Sequence, residues 1–261
     1  MTTAESEHAD RAPLFTPRVA LASLSGEADA AWARAGSDHA GAAFLGGIAL
    51  DEATREAARA LVARDREEFL PEDPVAFVAD ELDALADAPI RSGVNVRSAT
   101  PEPIREVARV CADRDAILEI NAHCRQTEIC TAGGGESLLR ETDRLCEYVA
   151  VAADADATVS VKVRAEVSGV DLRETAQRVV DAGADAIHVD AMDSETVVGD
   201  VARAAPELFV IANNEVRDRA SVCEYLGHGA DAVSLGRPST DPRVRQRVGR
   251  AVEAWFDESS P

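Results

Sequence analysis

Three short stretches carry side chains whose types and spacing suit chemistry on a flat, ring-shaped ligand. The first runs Glu119-Ile120-Asn121-Ala122-His123-Cys124-Arg125-Gln126 and leads into Gly133-Gly134-Gly135. An asparagine followed three residues later by a cysteine in a strand-end loop offers an amide to pair with a heterocycle and a thiol to transfer a proton. His123 and Arg125 beside it would lower the thiol pKa from its usual value of about 8.5. A buried, inert thiol is the competing reading, since that is the commonest fate of a free cysteine. In the second stretch, Val159-Ser160-Val161-Lys162-Val163-Arg164, period two puts Ser160, Lys162 and Arg164 on one face of a strand. Lys162 is the only lysine in the chain. Arginine's wide fork would not replace a point-charge amine beside a ring, and chance survival is the alternative. The third pairs Ala212-Asn213-Asn214-Glu215 with Ser234-Leu235-Gly236-Arg237-Pro238, where backbone N–H groups and an arginine could hold a phosphate. A Gly-Arg pair is a weak signal by itself, and as a plain loop it would need no ligand.

Such residues must be brought together by a scaffold, and the pattern along the chain supplies one. Apolar, β-branched runs alternate with segments of helical spacing, as in parallel strands joined by crossover helices. The expected strands are Arg18–Ser23, Gly41–Gly46, Ser92–Arg97, Ala116–Asn121, Thr158–Val163, Ala186–Asp190, Leu208–Ala212 and Ala232–Gly236. Helices are expected over Pro101–Asp113, Leu172–Ala182 and Arg243–Phe256, with two more in 51–88 broken near Pro71–Pro74. Asp171 is placed to start a helix and Gly183 to stop it. A doubly wound open sheet gives the same alternation, but eight strand-helix units in 261 residues favour an α/β chain folded as a single (β/α)8 TIM barrel, which needs about 250 residues. Residues 1–15 are expected to form a disordered acidic N-terminus and 16–257 the barrel, with no C-terminal helical domain. The reactive side chains would then sit at strand C-termini.

Charge and cysteine usage narrow the setting. The formal charge is −21, from 27 Lys and Arg against 48 Asp and Glu. The acids are spread over every helix, and arginine has replaced lysine, a pattern that looks like adaptation to a salt-saturated, halophilic cytoplasm rather than an acidic functional tail. At such ionic strength the Debye length is about 3 Å or less, so the net charge does not exclude a nucleic-acid partner. The five cysteines are an odd set with no C-x-x-C pair, which argues for reduced thiols. No stretch has the ~20 apolar residues of a bilayer span, and a cytoplasmic location is expected.

Taken together, these segments resemble the dihydrouridine synthases and, more distantly, the dihydroorotate dehydrogenases, both flavin mononucleotide (FMN) barrels. Ala22-Ser23-Leu24-Ser25-Gly26 looks like the Ala-Pro-Met-x-Gly opening of the synthases, and Asn95 falls where they carry a flavin-contacting glutamine. Glu119 to Cys124 resembles their Asn-x-Gly-Cys-Pro loop, whose cysteine protonates the base. The closest likenesses are Val161-Lys162-Val163-Arg164, to their flavin-binding fifth strand, and Gly229 to Arg237, to their last strand and phosphate-binding Gly-Arg. The chain looks like a short archaeal-type relative of the family. The resemblance implies FMN as cofactor, NADPH as electron source and reduction of the C5–C6 double bond of a uracil ring. Cys124 would be the general acid, and Asn121 and Arg164 would contact substrate. Ala22, Asn95, Lys162, Asn213, Gly236 and Arg237 would bind the cofactor. His123 and Arg125 depart from the glycine and proline that flank the family's cysteine, Asn214 from the glycine of an Asn-Gly-Asp turn, and Asp190 from a flavin-contacting histidine. A synthase acting on tRNA normally carries a helical domain after the barrel, so the substrate is expected to be tRNA bound differently or a small pyrimidine. No membrane and no stable protein partner are implied.

Two rivals remain at this level. His188 and Asp190 share a face of the sixth strand, similar to the metal-binding strand of ribulose-phosphate epimerases, although a packed histidine satisfied by a backbone carbonyl is the favoured reading of His188. A non-catalytic barrel binding nucleotide or a protein partner is the other. An absorbance spectrum separates the three: flavin bands, a bound metal, or neither.

Overall fold

The computed structural model describes residues 12–258. Eight parallel strands close on themselves in sequence order. They are β1 (Val19–Leu21), β2 (Ala42–Ala49), β3 (Arg91–Arg97), β4 (Ile117–Asn121), β5 (Thr158–Arg164), β6 (Ala186–Asp190), β7 (Phe209–Asn213) and β8 (Ala232–Leu235). The expected single (β/α)8 barrel is therefore the fold. Between the strands lie α1 (Ala30–Gly36), α2 (Glu52–Val62), α3 (Pro74–Asp83), α4 (Glu102–Ala112), α5 (Thr127–Thr131), α6 (Ser137–Arg140), α7 (Thr142–Ala153), α8 (Leu172–Asp181), α9 (Val197–Ala204) and α10 (Arg219–Gly227), and α11 (Pro242–Glu258) follows the last strand. The two helices expected in 51–88 are α2 and α3. None of the described helices is long and apolar enough to cross a membrane.

Aspartate starts many of these helices. Asp29, Asp51, Asp73, Asp171 and Asp218 each accept a backbone N–H of the first turn, so part of the acidic surplus does structural work at helix N-termini. Asp51 does more: its second oxygen takes Ser98 Oγ at 2.8 Å and the backbone N–H of Thr100 at 3.1 Å, tying the β3 loop to the start of α2. Gly183 ends α8 at φ +104°, where only glycine is comfortable.

Period two divides each strand between two cores. Outward residues such as Val94, Leu118, Val161, Val189 and Val210 pack under the helices in one continuous cluster. Inward residues at the strand starts form a separate plug of Phe15, Phe44, Ile117, Phe209, Ile211 and small alanines. Gly93 makes room for the Phe44 ring, which a Cβ there would strike. The plug corrects one expectation. Residues 1–11 of the acidic leader lie outside the described residues, but Phe15, counted with that leader, is 5% exposed and stacks edge-on against Phe209 at 5.3 Å. Burying a phenylalanine is worth about 1.5–3 kcal/mol, enough to fix the chain there. Above the plug the inward positions turn polar: Asn95, Glu119, Asn121, Ser160, Lys162, His188 and Ser234 are all buried.

Candidate active site at the barrel mouth

The loops after the strands enclose a cavity of about 530 Å³, within the range of small-molecule sites. Its wall includes Arg97, Asn121, His123, Cys124, Arg164 and Asp190. Next to it lies a recess of about 320 Å³ walled by Asn213, Ser234, Gly236 and Arg237. Arg237, Asp190 and Asn214 line both spaces. The structure therefore gathers Cys124, Asn121, Arg164, Asn213, Gly236 and Arg237 at one end of the barrel. Ala22, Asn95 and Lys162 are not in either wall. They are 2%, 0% and 3% exposed; Asn95 and Lys162 lie in the interior because their inward positions fall one layer below the strand ends, and Ala22 follows β1 directly, its N–H held by Leu235 O.

What those interior residues do is set by Glu119. A carboxylate only accepts hydrogen bonds, so every group facing it must donate. Asn95 Nδ2 donates to Glu119 Oε1 at 2.7 Å, which leaves Asn95 Oδ1 to accept from Asn121 Nδ2 at 2.8 Å. Asn121 Oδ1 is then free to accept the backbone N–H of Cys124 at 3.0 Å and of His123 at 3.3 Å. From the opposite side, His188 Nδ1 lies 2.7 Å from Glu119 Oε2 and His188 Nε2 lies 2.7 Å from Ser234 Oγ. With the imidazole neutral, Ser234 donates to Nε2 and itself accepts from Asn213 Nδ2 at 2.6 Å. Two chains of donors, one from the Cys124 loop and one from the Gly236 recess, thus converge on a single buried carboxylate. The expectation that His188 packs on a backbone carbonyl is corrected: its partners are a carboxylate and a hydroxyl. Both ring nitrogens are occupied, and among the described residues no group of three or more His, Cys, Asp or Glu could hold a metal.

Charge is distributed accordingly. Burial pushes the Glu119 carboxyl up, but His188, Lys162 and the bond from Asn95 outweigh it and hold it below the ordinary carboxylate range. Burial lowers the Lys162 amine, against the attraction of Glu119 and Asp190. His188 is lowered by burial and by Lys162, against the pull of Glu119, and His123 is driven well below the usual imidazole value by burial, Lys162, His188 and Arg97. Both histidines are neutral in the folded protein near neutral pH. The unfolded chain takes up these protons near pH ~6.5 and the folded one only at lower pH. Stability is thus intact above about pH 6.5 and falls below it, by up to ~1.4 kcal/mol per pH unit for each histidine. Glu119, lowered in the fold, contributes stability above about pH 4.5 that is lost on further acidification. Urea midpoints should drop steadily from about pH 7 to pH 5; a flat profile over that range would contradict these protonation states.

The Cys124 loop is held by its backbone. Glu136 N–H donates to Cys124 O at 2.8 Å, and Cys130 Sγ approaches the same oxygen at 3.3 Å. Gly135 makes this closure possible: it sits at φ +58°, and a Cβ there would overlap the Cys124 carbonyl oxygen. Gly135→Ala should therefore displace the loop and destabilise the protein by about 1–3 kcal/mol, the range for a strained left-handed non-glycine residue. A melting temperature equal to wild type would show that the loop is not built on this contact. Glu136 also accepts Arg164 Nη1 at 2.7 Å, so Arg164 reaches the cavity already paired.

Arg97 and Glu68 escaped the sequence reading, and Asn214, noted there for its departure from the family turn, shows what that departure does. Arg97 ends β3 inward, shares the cavity wall with Cys124, and pairs with Glu68 at 2.7 Å with both side chains almost wholly buried. Period two from Asn95 would have put Arg97 on the inward face; nothing local marks Glu68, which lies in the irregular segment between α2 and α3. Asn214 occupies φ +109°, glycine-like backbone, with its amide donating to Met192 O at 2.6 Å.

Comparison with known proteins follows the same lines. The model of the dihydrouridine synthase (Dus) family matches residues 83–259. An uncharacterized protein of Methanocaldococcus jannaschii is 26% identical over 233 residues, covering 84% of this chain and 88% of that protein. The tRNA-dihydrouridine synthase B of Xanthomonas campestris pv. campestris is 29% identical over 168 residues, which is 58% of this chain and half of that enzyme. Among solved structures, thiamine phosphate pyrophosphorylase from Pyrococcus furiosus aligns with a TM-score of 0.53 over 91% of this chain and 96% of its own, at 11% identity, a likeness of fold alone.

Proposed function

The chain belongs to the dihydrouridine synthase family, and on that premise we propose that it is an FMN-dependent oxidoreductase that reduces the C5–C6 bond of uracil in tRNA, with NADPH as electron donor. The observation that carries this reading is that Cys124 and Arg237, from opposite halves of the chain, line one cavity.

The residues present fit a flavin mononucleotide. Apart from its two chain neighbours, no residue comes within 4 Å of where a Cβ on Gly236 would stand, so a phosphate can approach that backbone closely, with Arg237 exposed beside it. Lys162 provides the interior positive charge that favours an electron-rich ring, and Asn121 keeps one amide hydrogen for a ring or base after bonding Asn95. Bound there, the reduced flavin would supply the hydride for C6. Cys124 would give its proton to C5 from the loop that Asn121 and Glu136 hold in place. Arg97, which shares the cavity wall with Cys124, would stabilise the thiolate left behind, and neutral His123 would add no competing charge. In this reading Asn95 supports the site from below and does not touch the flavin, and Ala22, whose N–H bonds Leu235 O at 2.8 Å, fastens β1 to β8.

The test is direct. Protein purified in strong salt should be yellow or take up FMN, and with NADPH and an unmodified tRNA transcript it should generate dihydrouridine detectable by mass spectrometry of nucleosides. Protein that stays colourless when offered FMN, or flavin-loaded protein that never yields dihydrouridine, defeats the reading.

A further inference from the structure

A second feature lies on the last helix. Arg243, Arg245, Arg247 and Arg250 fall within a few residues of one another, with no acid between Pro242 and Val252. In a chain of net charge −21 this is a local reversal of sign. Arg243, Arg247 and Arg250 of α11 join Arg219 of α10 around a surface hollow of about 470 Å³. Arg245 does not take part: its guanidinium turns inward to donate to Ser239 O and, at 2.9 Å, to Ala35 O.

Three further observations set the hollow apart. Many exposed arginines elsewhere are paired, as in Arg34 with Asp87, Arg173 with Asp171 and Arg203 with Asp200. Among the described residues, only Arg219 of the four in the hollow has a carboxylate in ion-pair range, Glu258 at 3.5 Å. Like α1, α3, α6 and α10, α11 carries no acid in its first turn; Asp241 just before it accepts the Arg243 N–H at 2.8 Å, and Arg243 lies in that first turn, where the helix dipole opposes a cation. Arg243 at that end is placed to favour a bound anion. Finally, the hollow adjoins the mouth. Arg247 Nε donates to Arg217 O at 2.8 Å, and Arg217 lines the recess that also holds Arg237.

We propose that this hollow is the docking surface for the phosphate backbone of an RNA substrate, an inference that rests on the functional reading above. A base entering the mouth is attached to a polyanionic chain that must leave across the rim, and the guanidinium groups of Arg237, Arg247, Arg243 and Arg250 mark its path, past Arg217, which is paired with Glu215. Guanidinium forks match phosphate oxygens in pairs, and such contacts position a nucleic acid without reading its sequence.

The experiment compares the full chain, R243Q/R247Q/R250Q, and R59Q/R114Q/R203Q, which removes the same charge from elsewhere on the surface. Fluorescence anisotropy with a labelled, unmodified tRNA transcript is recorded over a salt series, and flavin content and melting temperature report folding. The first triple variant should bind at least about tenfold more weakly at ~0.1 M salt, with a log-log salt slope shallower by about three, while the control triple stays near wild type. Unchanged affinity, equal losses in both triples, or no RNA binding by the wild type overturns the proposal; capture of an acidic protein instead would do the same. The two ideas fail separately. If RNA binds through the hollow but no dihydrouridine forms, the enzymatic reading falls. If the first triple forms dihydrouridine with wild-type kcat/KM, the docking surface falls.

Discussion

Cys124→Ala is expected to leave a yellow, flavin-loaded protein whose turnover is reduced by about a hundred- to ten-thousand-fold, the range for loss of a general acid. The two halves of that result have different physical grounds. The loop is fixed by main-chain bonds to Asn121, Glu136 and Cys130, none of which involves the Cys124 sulfur. Deleting the thiol therefore leaves the cavity wall standing. The proton has no second nearby donor of suitable strength: Arg97 holds its proton more tightly than usual, and His123 is neutral. Flavin stoichiometry from absorbance and single-turnover formation of dihydrouridine check the two halves independently. A colourless variant would make Cys124 structural, and retained turnover would make it a bystander.

Glu119→Gln should produce the largest change in stability of any conservative substitution in the barrel interior. Glutamine has one acceptor oxygen and one donor group, but both terminal oxygens of Glu119 receive donors, Asn95 on one side and His188 and Ser160 on the other. One chain must therefore reverse or break. The change also removes the buried counter-charge of Lys162, leaving an ammonium that only Asp190 still attracts. Leaving one member of a buried charged pair uncompensated costs about 3–5 kcal/mol. Urea unfolding should show a loss of that size, and titration with FMN should show weakened binding because Lys162 gives up its proton more readily. Wild-type values in both measurements would mean that Glu119 is not the anchor of the layer.

The acid sensitivity of the two histidines belongs to the same arrangement. Protonating His188 forces Nε2 to become a donor toward Ser234, so Ser234 must turn its own hydrogen elsewhere, and among the described residues its other acceptor is Ala212 O at a long 3.4 Å.

Much of this was legible in the sequence, for local reasons. Inward and outward faces follow from period two, so the shared face of Ser160, Lys162 and Arg164 could be read without any structure. Helix starts follow from aspartate caps and stops from glycine, as at Asp171 and Gly183. The Asn121 to Cys124 spacing encodes its own turn, because an asparagine side chain reaches the backbone N–H a few residues on. The number of strands points to closure.

What the sequence could not contain was who meets whom across the barrel. Asn95, Glu119, His188 and Ser234 lie on β3, β4, β6 and β8, and the Glu68 partner of Arg97 comes from an irregular segment. Periodicity assigns each residue a face but says nothing about its neighbours in the closed ring; strand tilt and stagger decide which inward positions share a layer. The same closure moved Asn95 and Lys162 from the expected cavity wall into the layer below it. Reactive types and faces are properties of short segments and survive in one dimension, whereas the polarity of the hydrogen-bonded layer exists only once a carboxylate from one strand is enclosed by donors from the others.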